Sequence, residues 1–333
     1  MLIASSMLAR RLLQAALLFW LVITLVFALA RLAPGDPASF LVPPTATAAD
    51  AARLRSELGL DRPLLVQYVR WARAVVRGDL GESFSAGRPV GDVLREAAPV
   101  SLWLGLVSIA LTFLVGVPIG MVQAARRGRA IDRLLTVLTT TAYAAPSFWI
   151  ALSLVAVFTY GAATLGLPAW MRLPAFGIRT PGLALHGTAA FRDLVRHAVL
   201  PVVTLSAVGA AGIARYARSG VADILEQEFV RTARAKGAPA WRVYGRHVMA
   251  NLMPSLVVLF ALSLPGIVAG SVFVESVFAW PGLGRATLSA ILARDFPVVM
   301  GASVFYAAAT ILANLAADLA LPLLDPRRLV SRP

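Results

Sequence analysis

Residues 100–122 read VSLWLGLVSIALTFLVGVPIGMV and residues 123–133 read QAARRGRAIDR. The first stretch carries no charged side chain and exceeds the roughly 20 apolar residues that an α-helix needs to cross about 30 Å of hydrocarbon. The second sets Arg126, Arg127, Arg129 and Arg133 in one short loop, the kind of loop whose Lys/Arg content most strongly sets orientation in a membrane. Together they read as a membrane helix ending on the cytoplasmic side.

Working outward, five more stretches qualify or nearly do, at 12–30, 134–160, 198–214, 252–274 and 297–317; the fourth span of the six, 198–214, is the shortest and begins near Pro201. The expected fold is all-α, a polytopic membrane bundle of about six transmembrane helices. Composition agrees: 59% of the 333 residues are hydrophobic and 14% charged, with a mean hydropathy of +0.76, where a soluble domain carries about 25% charged residues. With no cysteine, a disulfide frame, a thiol nucleophile and a thiolate metal site are excluded. A net charge of +14 could suit nucleic acid, but the basic residues fall in short runs between apolar spans and form no patch with interleaved aromatics. The partner those runs imply is the lipid bilayer, and no nucleic acid.

Arg10 and Arg11 precede the first span and Ala28-Leu29-Ala30 resembles a cleavage site. The apolar run is longer than the 7 to 15 residues of a signal peptide and Arg31 follows at once, so it reads as an uncleaved anchor. With the N-terminus inside, the cytoplasmic segments 1–11, 123–133, 215–251 and 321–333 hold sixteen Lys/Arg against five acids, or +11 of the total +14. Both termini are expected in the cytoplasm. Residues 1–31 then form the N-terminus and first span, 32–98 an extracytoplasmic cap, and 99–333 the core domain. The cap has turn signals at Pro34-Gly35-Asp36-Pro37 and Pro43-Pro44, then helical patterns at 48–58 and 66–76, which predict a small folded unit. The outer loop 161–197 is rich in glycine and proline and carries Trp170 at interfacial depth. No internal repeat is evident.

The inner loop 215–251 is long for a minimal bundle. Residues 223–237 predict one helix with Ile224, Leu225, Glu228, Arg231 and Ala235 on a shared face and Gly237 as its stop. A second helix is expected over 239–251, with Pro239 at its first position. Such an arginine-studded elbow could dock a soluble partner, its cations orienting the encounter, or lie against anionic headgroups. The physics of the segment suits both.

The run Glu228-Phe229-Val230-Arg231-Thr232-Ala233-Arg234-Ala235-Lys236-Gly237, followed by Arg246-His247, Asn251 and Pro254, closely resembles the EAA loop of binding-protein-dependent ABC importer permeases, in the form seen in the dipeptide/oligopeptide/nickel subfamily. Arg231-Thr232-Ala233 stands where the general signature has Glu-Ala-Ala, a replacement that resembles the peptide subfamily. Further likenesses to its first permease subunit run along the chain: Pro34-Gly35-Asp36-Pro37, Leu58-Gly59-Leu60-Asp61 with Pro63 and Gln67-Tyr68, Gly78-Asp79-Leu80-Gly81 with Ser83-Phe84, Glu275 with Phe278, Trp280-Pro281-Gly282-Leu283-Gly284, Ala293-Arg294-Asp295, and Asn314, Asp318 and Asp325-Pro326-Arg327.

The resemblance implies a type I ABC importer permease fold in the bacterial inner membrane. It also implies a second homologous permease in a heterodimer, two ABC ATPase subunits, and an extracytoplasmic solute-binding protein. Short peptides are the implied cargo, with nickel or another oligomeric solute as the alternative within the class. The ATPase would grip Glu228, Arg231, Thr232, Ala233, Arg234, Ala235, Lys236 and Gly237, with Arg246, His247, Asn251 and Pro254 behind them. The chain lacks G-x-x-x-x-G-K-[ST] and has a single lysine, Lys236, so ATP hydrolysis by that route belongs to another subunit. A stand-alone secondary transporter would need acids near the bilayer centre and inverted repeats, and neither is evident.

Other residues have simpler readings. Gly116 with Gly120, and Gly266 with Gly270, each form G-x-x-x-G, which permits close helix packing, read as general packing more than a dimer seam. Pro118 and Pro265 are read as ordinary membrane-helix prolines. Asp318 near the inner end of the last span is expected to pair with Arg327 or Arg328. His186, His197 and His247 stand far apart with no metal-ligand spacing or catalytic constellation around them, so no cofactor, metal or enzymatic activity is expected. The Trp280-Pro281-Gly282-Leu283-Gly284 stretch reads as a structural turn beside the pathway.

Overall fold

In the computed structural model, residues 2–32, 47–57, 59–269 and 272–324 are described. The turn signals at 34–37 and 43–44, and residues 325–333 with Arg327 and Arg328, lie outside them, as do the side chains of Asp318 and Pro265. Thirteen α-helical segments follow in order: α1 (Leu2–Leu32), α2 (Ala48–Glu57), α3 (Leu64–Val76), α4 (Val90–Ala125), α5 (Ala130–Ala144), α6 (Ser147–Val155), α7 (Gly187–Leu225), α8 (Glu228–Ala235), α9 (Ala240–Arg242), α10 (Met249–Ala269), α11 (Val272–Val277), α12 (Leu283–Leu292) and α13 (Phe296–Leu324). Single π-helical turns continue α6 over Ala156–Tyr160 and join α9 to α10 over Val243–Val248.

Among the described residues, five helices are long and apolar enough to cross a membrane, at Ala9–Leu32, Val90–Ala125, Gly187–Leu225, Ala240–Leu264 and Phe296–Ala317. The remaining expected span, 134–160, is not one straight helix: Ala130–Ala144 and Ser147–Tyr160 meet at 106°. Ala145 precedes Pro146 and is extended, with φ −74° and ψ 133°. The proline ring crowds an α-helical residue before it and disfavours that conformation, and here the helix ends. Pro118 and Pro201 behave otherwise, since α4 and α7 run unbroken through both. The fifth span begins twelve residues earlier than expected, because the loop helix and the span are one continuous element from Ala240.

The chain divides into two compact units. One comprises Met1–Val100 with Gly282–Leu315. Its helices α2 and α3 coincide with the helical patterns expected at 48–58 and 66–76. Ile23 of α1 is buried with Val75 of α3 and Val304 of α13. Phe27 meets Tyr68 edge-on at 5.4 Å, and the Thr24 and Tyr68 hydroxyls lie 2.7 Å apart. A second apolar cluster joins Val90, Leu94 and Ala97 to Leu283, Ala290, Val298 and Ala302. Asp295 caps α13 and is fully buried. Its Oδ2 accepts hydrogen bonds from the Ser83 hydroxyl (2.6 Å), the Ser85 amide (2.9 Å) and the Ser85 hydroxyl (2.7 Å). Burial alone would raise this carboxyl, but those donors hold it below the usual carboxylate range.

The other unit comprises Ser101–Pro281 with Ala316–Pro333. Its centre is a seam between α4 and α7. A Cβ on Gly116 would stand 2.7 Å from the Ala210 carbonyl, and one on Gly120 only 2.3 Å from the Ala214 carbonyl. Glycine is therefore required at both for backbones to touch. Gly266 differs, since a Cβ there meets nothing within 4 Å. The loop expected over 161–197 is fastened to this unit by Gly177, whose amide donates to the Phe278 carbonyl (2.9 Å), and by Thr180, whose amide and hydroxyl donate to Asp193. The reading of Trp280 as part of a turn fits its surroundings: its amide donates to the Glu275 carbonyl at 2.8 Å, and its buried ring stacks on Trp103 at 6.1 Å. Glu275, also buried, accepts from the Ser101 hydroxyl at 2.7 Å.

Candidate coupling site

The expected single helix over 223–237 is two helices. α7 ends at Leu225, Gln227 turns extended (φ −70°, ψ 145°), and α8 restarts at Glu228. Ile224 and Leu225 therefore do not share a helix face with Glu228, Arg231 and Ala235. The break suits the local chemistry: a carboxylate in the first turn, as Glu228 supplies, favours a helix N-terminus, and Arg234 sits in the last turn where a cation is favoured.

One side chain fastens α8. Val230 is completely buried in a cluster with Val117, Ala124, Ala217, Val221, Val243, Val248, Leu252 and Leu256, which ties α8 to α4, α7 and α10. The charged residues point the other way, with Glu228, Arg231, Arg234 and Lys236 all exposed. Arg231 Nη1 donates to Glu228 Oε1 at 2.8 Å, and the Thr232 hydroxyl donates to the Glu228 carbonyl at 2.9 Å. That ion pair is solvent-exposed on both sides, so it contributes little stability and leaves both charges available. Ala233 is half-buried and Ala235 exposed.

Lys236 caps the C-terminus and Gly237 follows at φ +76°. The Gly237 amide donates to the Arg234 carbonyl (2.9 Å) and the Ala238 amide to the Ala233 carbonyl (3.1 Å), the paired bonds of a Schellman motif. A side chain at Gly237 would meet nothing within 4 Å, so the glycine is required by conformation, not by space in this chain. Pro239 is the N-cap of α9, one residue before the position expected for it. Arg246 and His247 lie in the π turn, and Asn251 and Pro254 in α10. Asn251 Nδ2 donates to the His247 carbonyl at 2.7 Å, and the Phe229 and His247 rings are 6.4 Å apart. All twelve expected residues thus fall on one helical elbow, with 228–237 packed against the turn that carries 246–251.

Sequence reasoning missed the parts that hold this elbow. Asp132 is buried and takes a two-pronged contact from Arg218, with Nε to Oδ1 and Nη2 to Oδ2 both at 3.0 Å. It also accepts from the Gly128 amide at 2.9 Å. The brace pins the 126–133 loop to α7 two turns before that helix ends. Both residues were counted only as loop charges, and no local signal joins positions 86 apart. Trp241, 72% exposed beside the elbow with the Arg242 guanidinium 5.1 Å from its ring, was also passed over.

Among the described residues, a helical architecture with several membrane-length spans and a basic elbow fits a multi-pass membrane protein. Residues 116–330 match the family described as binding-protein-dependent transport system inner membrane component, and residues 4–105 match its N-terminal companion. The chain belongs to that family. It is 35% identical over 304 residues to the oligopeptide transport system permease protein AppB of Bacillus subtilis, covering 91% of this chain and 92% of that protein. The glutathione transport system permease protein GsiC of Salmonella paratyphi A is 35% identical over 306 residues, covering 92% and 93%. A solved inward-facing structure of the MetNI methionine ABC transporter superposes with a TM-score of 0.50 at 17% identity, over 70% of this chain and 96% of that one, which supports the fold. The chain is therefore a permease component of an ATP-driven importer and not an enzyme. It is a multi-pass inner-membrane protein that works with ATPase and solute-binding partners.

Proposed function

We propose that this permease imports short peptides and that the elbow from Glu228 to Pro254 is where its ATPase docks. The observation that carries the docking reading is α8 itself, a two-turn helix anchored by one buried valine with its charged side chains turned outward. Glu228, Arg231 and Arg234 supply fixed charges for a partner groove, and Gly237 lets the chain turn back within one residue. Closure of two ATPases would then move the elbow as a rigid body together with α7, through Val230 and the Asp132–Arg218 brace. Peptide cargo is supported by the relatives named for oligopeptide and glutathione transport.

The complete assembly pairs this chain with a second homologous permease as a heterodimer. Both termini face the cytoplasm, residues 32–98 form a cap on the outer side, and 99–333 form the core. Replacing Gly237 with valine tests the docking. The backbone strain of a branched residue at positive φ costs about 1–2 kcal/mol, and a side chain enters space that the partner would occupy. The expected result is normal membrane insertion with loss of ATPase association; unchanged association would refute the assignment. Purified chain without ATPase subunits should transport no peptide into liposomes, and transport by it alone would overturn the importer reading.

A further inference from the structure

The unit formed by Met1–Val100 and Gly282–Leu315 carries a half-open cavity of about 740 Å³, within the range that holds a small ligand. Phe27 and Arg31 enter it from the end of the span Ala9–Leu32, and Phe296, Pro297 and Met300 from the start of the span Phe296–Ala317. Two membrane helices thus terminate at the same cavity, which sets it at the boundary between hydrocarbon and headgroups whichever way the chain faces.

Its lining divides by chemistry. Phe27 and Trp71, with ring centroids 5.6 Å apart, form an aromatic wall. Three cations also line it: Arg31, stacked 5.3 Å from the Phe27 ring, and Arg62 and Arg70, which have no ion-pair partner among the described residues. The carboxylates of Asp79 and Glu82 line it as well. Gln67 is oriented by its Nε2, which donates to the carbonyls of Leu60 (3.1 Å) and Arg62 (2.6 Å). Its Oε1 is left buried with no partner among the described residues, and a buried acceptor in that state is costly unless something donates to it.

We infer that this cavity binds a phosphatidylethanolamine headgroup. Guanidinium forks suit a phosphate, and the ethanolamine ammonium supplies three N–H donors for the carboxylates of Asp79 and Glu82. The acyl chains would enter the hydrocarbon crossed by the two spans that end at the cavity. Phosphatidylcholine has the phosphate but no N–H donor, and phosphatidylglycerol leaves both carboxylates without a cation. A short peptide shares the ammonium-and-anion chemistry, but its binding would not need a cavity built from the ends of two spans.

The test is lipid retention by the full-length chain in mild detergent, read by native mass spectrometry with the three lipids at matched acyl chains. Phosphatidylethanolamine should be retained about tenfold more than either competitor. Arg62→Ala with Arg70→Ala should abolish that margin, since about 1.4 kcal/mol, the scale of one charge-assisted hydrogen bond, is tenfold. Arg62→Lys with Arg70→Lys should keep part of it, and Glu82→Gln should lower phosphatidylethanolamine retention without lowering that of phosphatidylglycerol. Equal retention of all three lipids, a margin that survives the double alanine variant, or displacement of the lipid by millimolar Ala-Phe dipeptide would each overturn the proposal.

Discussion

Replacing Gly120 with alanine adds one methyl group at the tightest point of the α4–α7 seam. The new Cβ would lie 2.3 Å from the Ala214 carbonyl oxygen, 2.7 Å from the Ala217 Cβ and 2.8 Å from the Arg218 amide nitrogen. Carbon–oxygen contacts of this kind settle at about 3.3–3.6 Å, so the helices must part by roughly 1 Å. Two of the three atoms are backbone and have no rotamer to escape into. Overpacking of a methyl group costs about 1–3 kcal/mol and sometimes more, and the immobile neighbours place Gly120→Ala at about 3 kcal/mol. Gly266→Ala is the internal control. It sits in the second G-x-x-x-G, meets nothing within 4 Å, and should be neutral or up to about 1 kcal/mol stabilising, because alanine is the better helix former. Melting curves of the two purified variants in one detergent should therefore separate by roughly 6–16 °C, given about 2–4 °C per kcal/mol for chains of this order. Equal melting temperatures would refute the seam.

The Asp295 cap gives a pH signature. Its folded-state pKa is lowered, so its stabilisation is fully present above the unfolded value near 4 and is lost as pH falls through the lower folded value. Asp295→Asn should cost about 2–4 kcal/mol at pH 7, the loss of several hydrogen bonds to a charged acceptor. It should also flatten the decline in melting temperature below about pH 4; a variant with the wild-type acid profile would exclude the mechanism. At the brace, Arg218→Ala strands the buried Asp132 carboxylate and should cost about 2–4 kcal/mol. The double variant with Asp132→Ala should cost less than the two single losses combined, and simple additivity in that cycle would mean that the pair is not coupled.

Much of this fold is legible in the sequence because membrane helices announce themselves one at a time, by length and apolarity. Four of the six expected spans lie within single helices for that reason, and 252–269 of a fifth lie in one too. The bend within 134–160 has a local cause, the extended Ala145 before Pro146, which apolarity cannot reveal. The elbow residues were legible as a resemblance, yet their geometry was not: a periodic pattern over 223–237 carries no mark of the extended Gln227. The two G-x-x-x-G motifs were indistinguishable as strings, and only the backbone of α7 against Gly116 and Gly120 tells them apart. Asp132 with Arg218, and Ser83 with Asp295, join positions far apart in the chain. Nothing in either local pattern encodes such a partner.

The central claim is that the ATPase sits on the α8 elbow, and the chain's lack of cysteine allows a direct test. Ala235→Cys places a unique thiol of this chain on the exposed face of α8, and Leu165→Cys places one in the loop after Tyr160, proposed to face outward, 61% exposed at the wild-type residue. In the assembled importer treated with a short bifunctional thiol–amine reagent, the account predicts an ATPase adduct from Ala235→Cys and none from Leu165→Cys. An adduct absent from Ala235→Cys, or equally abundant from both positions, would contradict it.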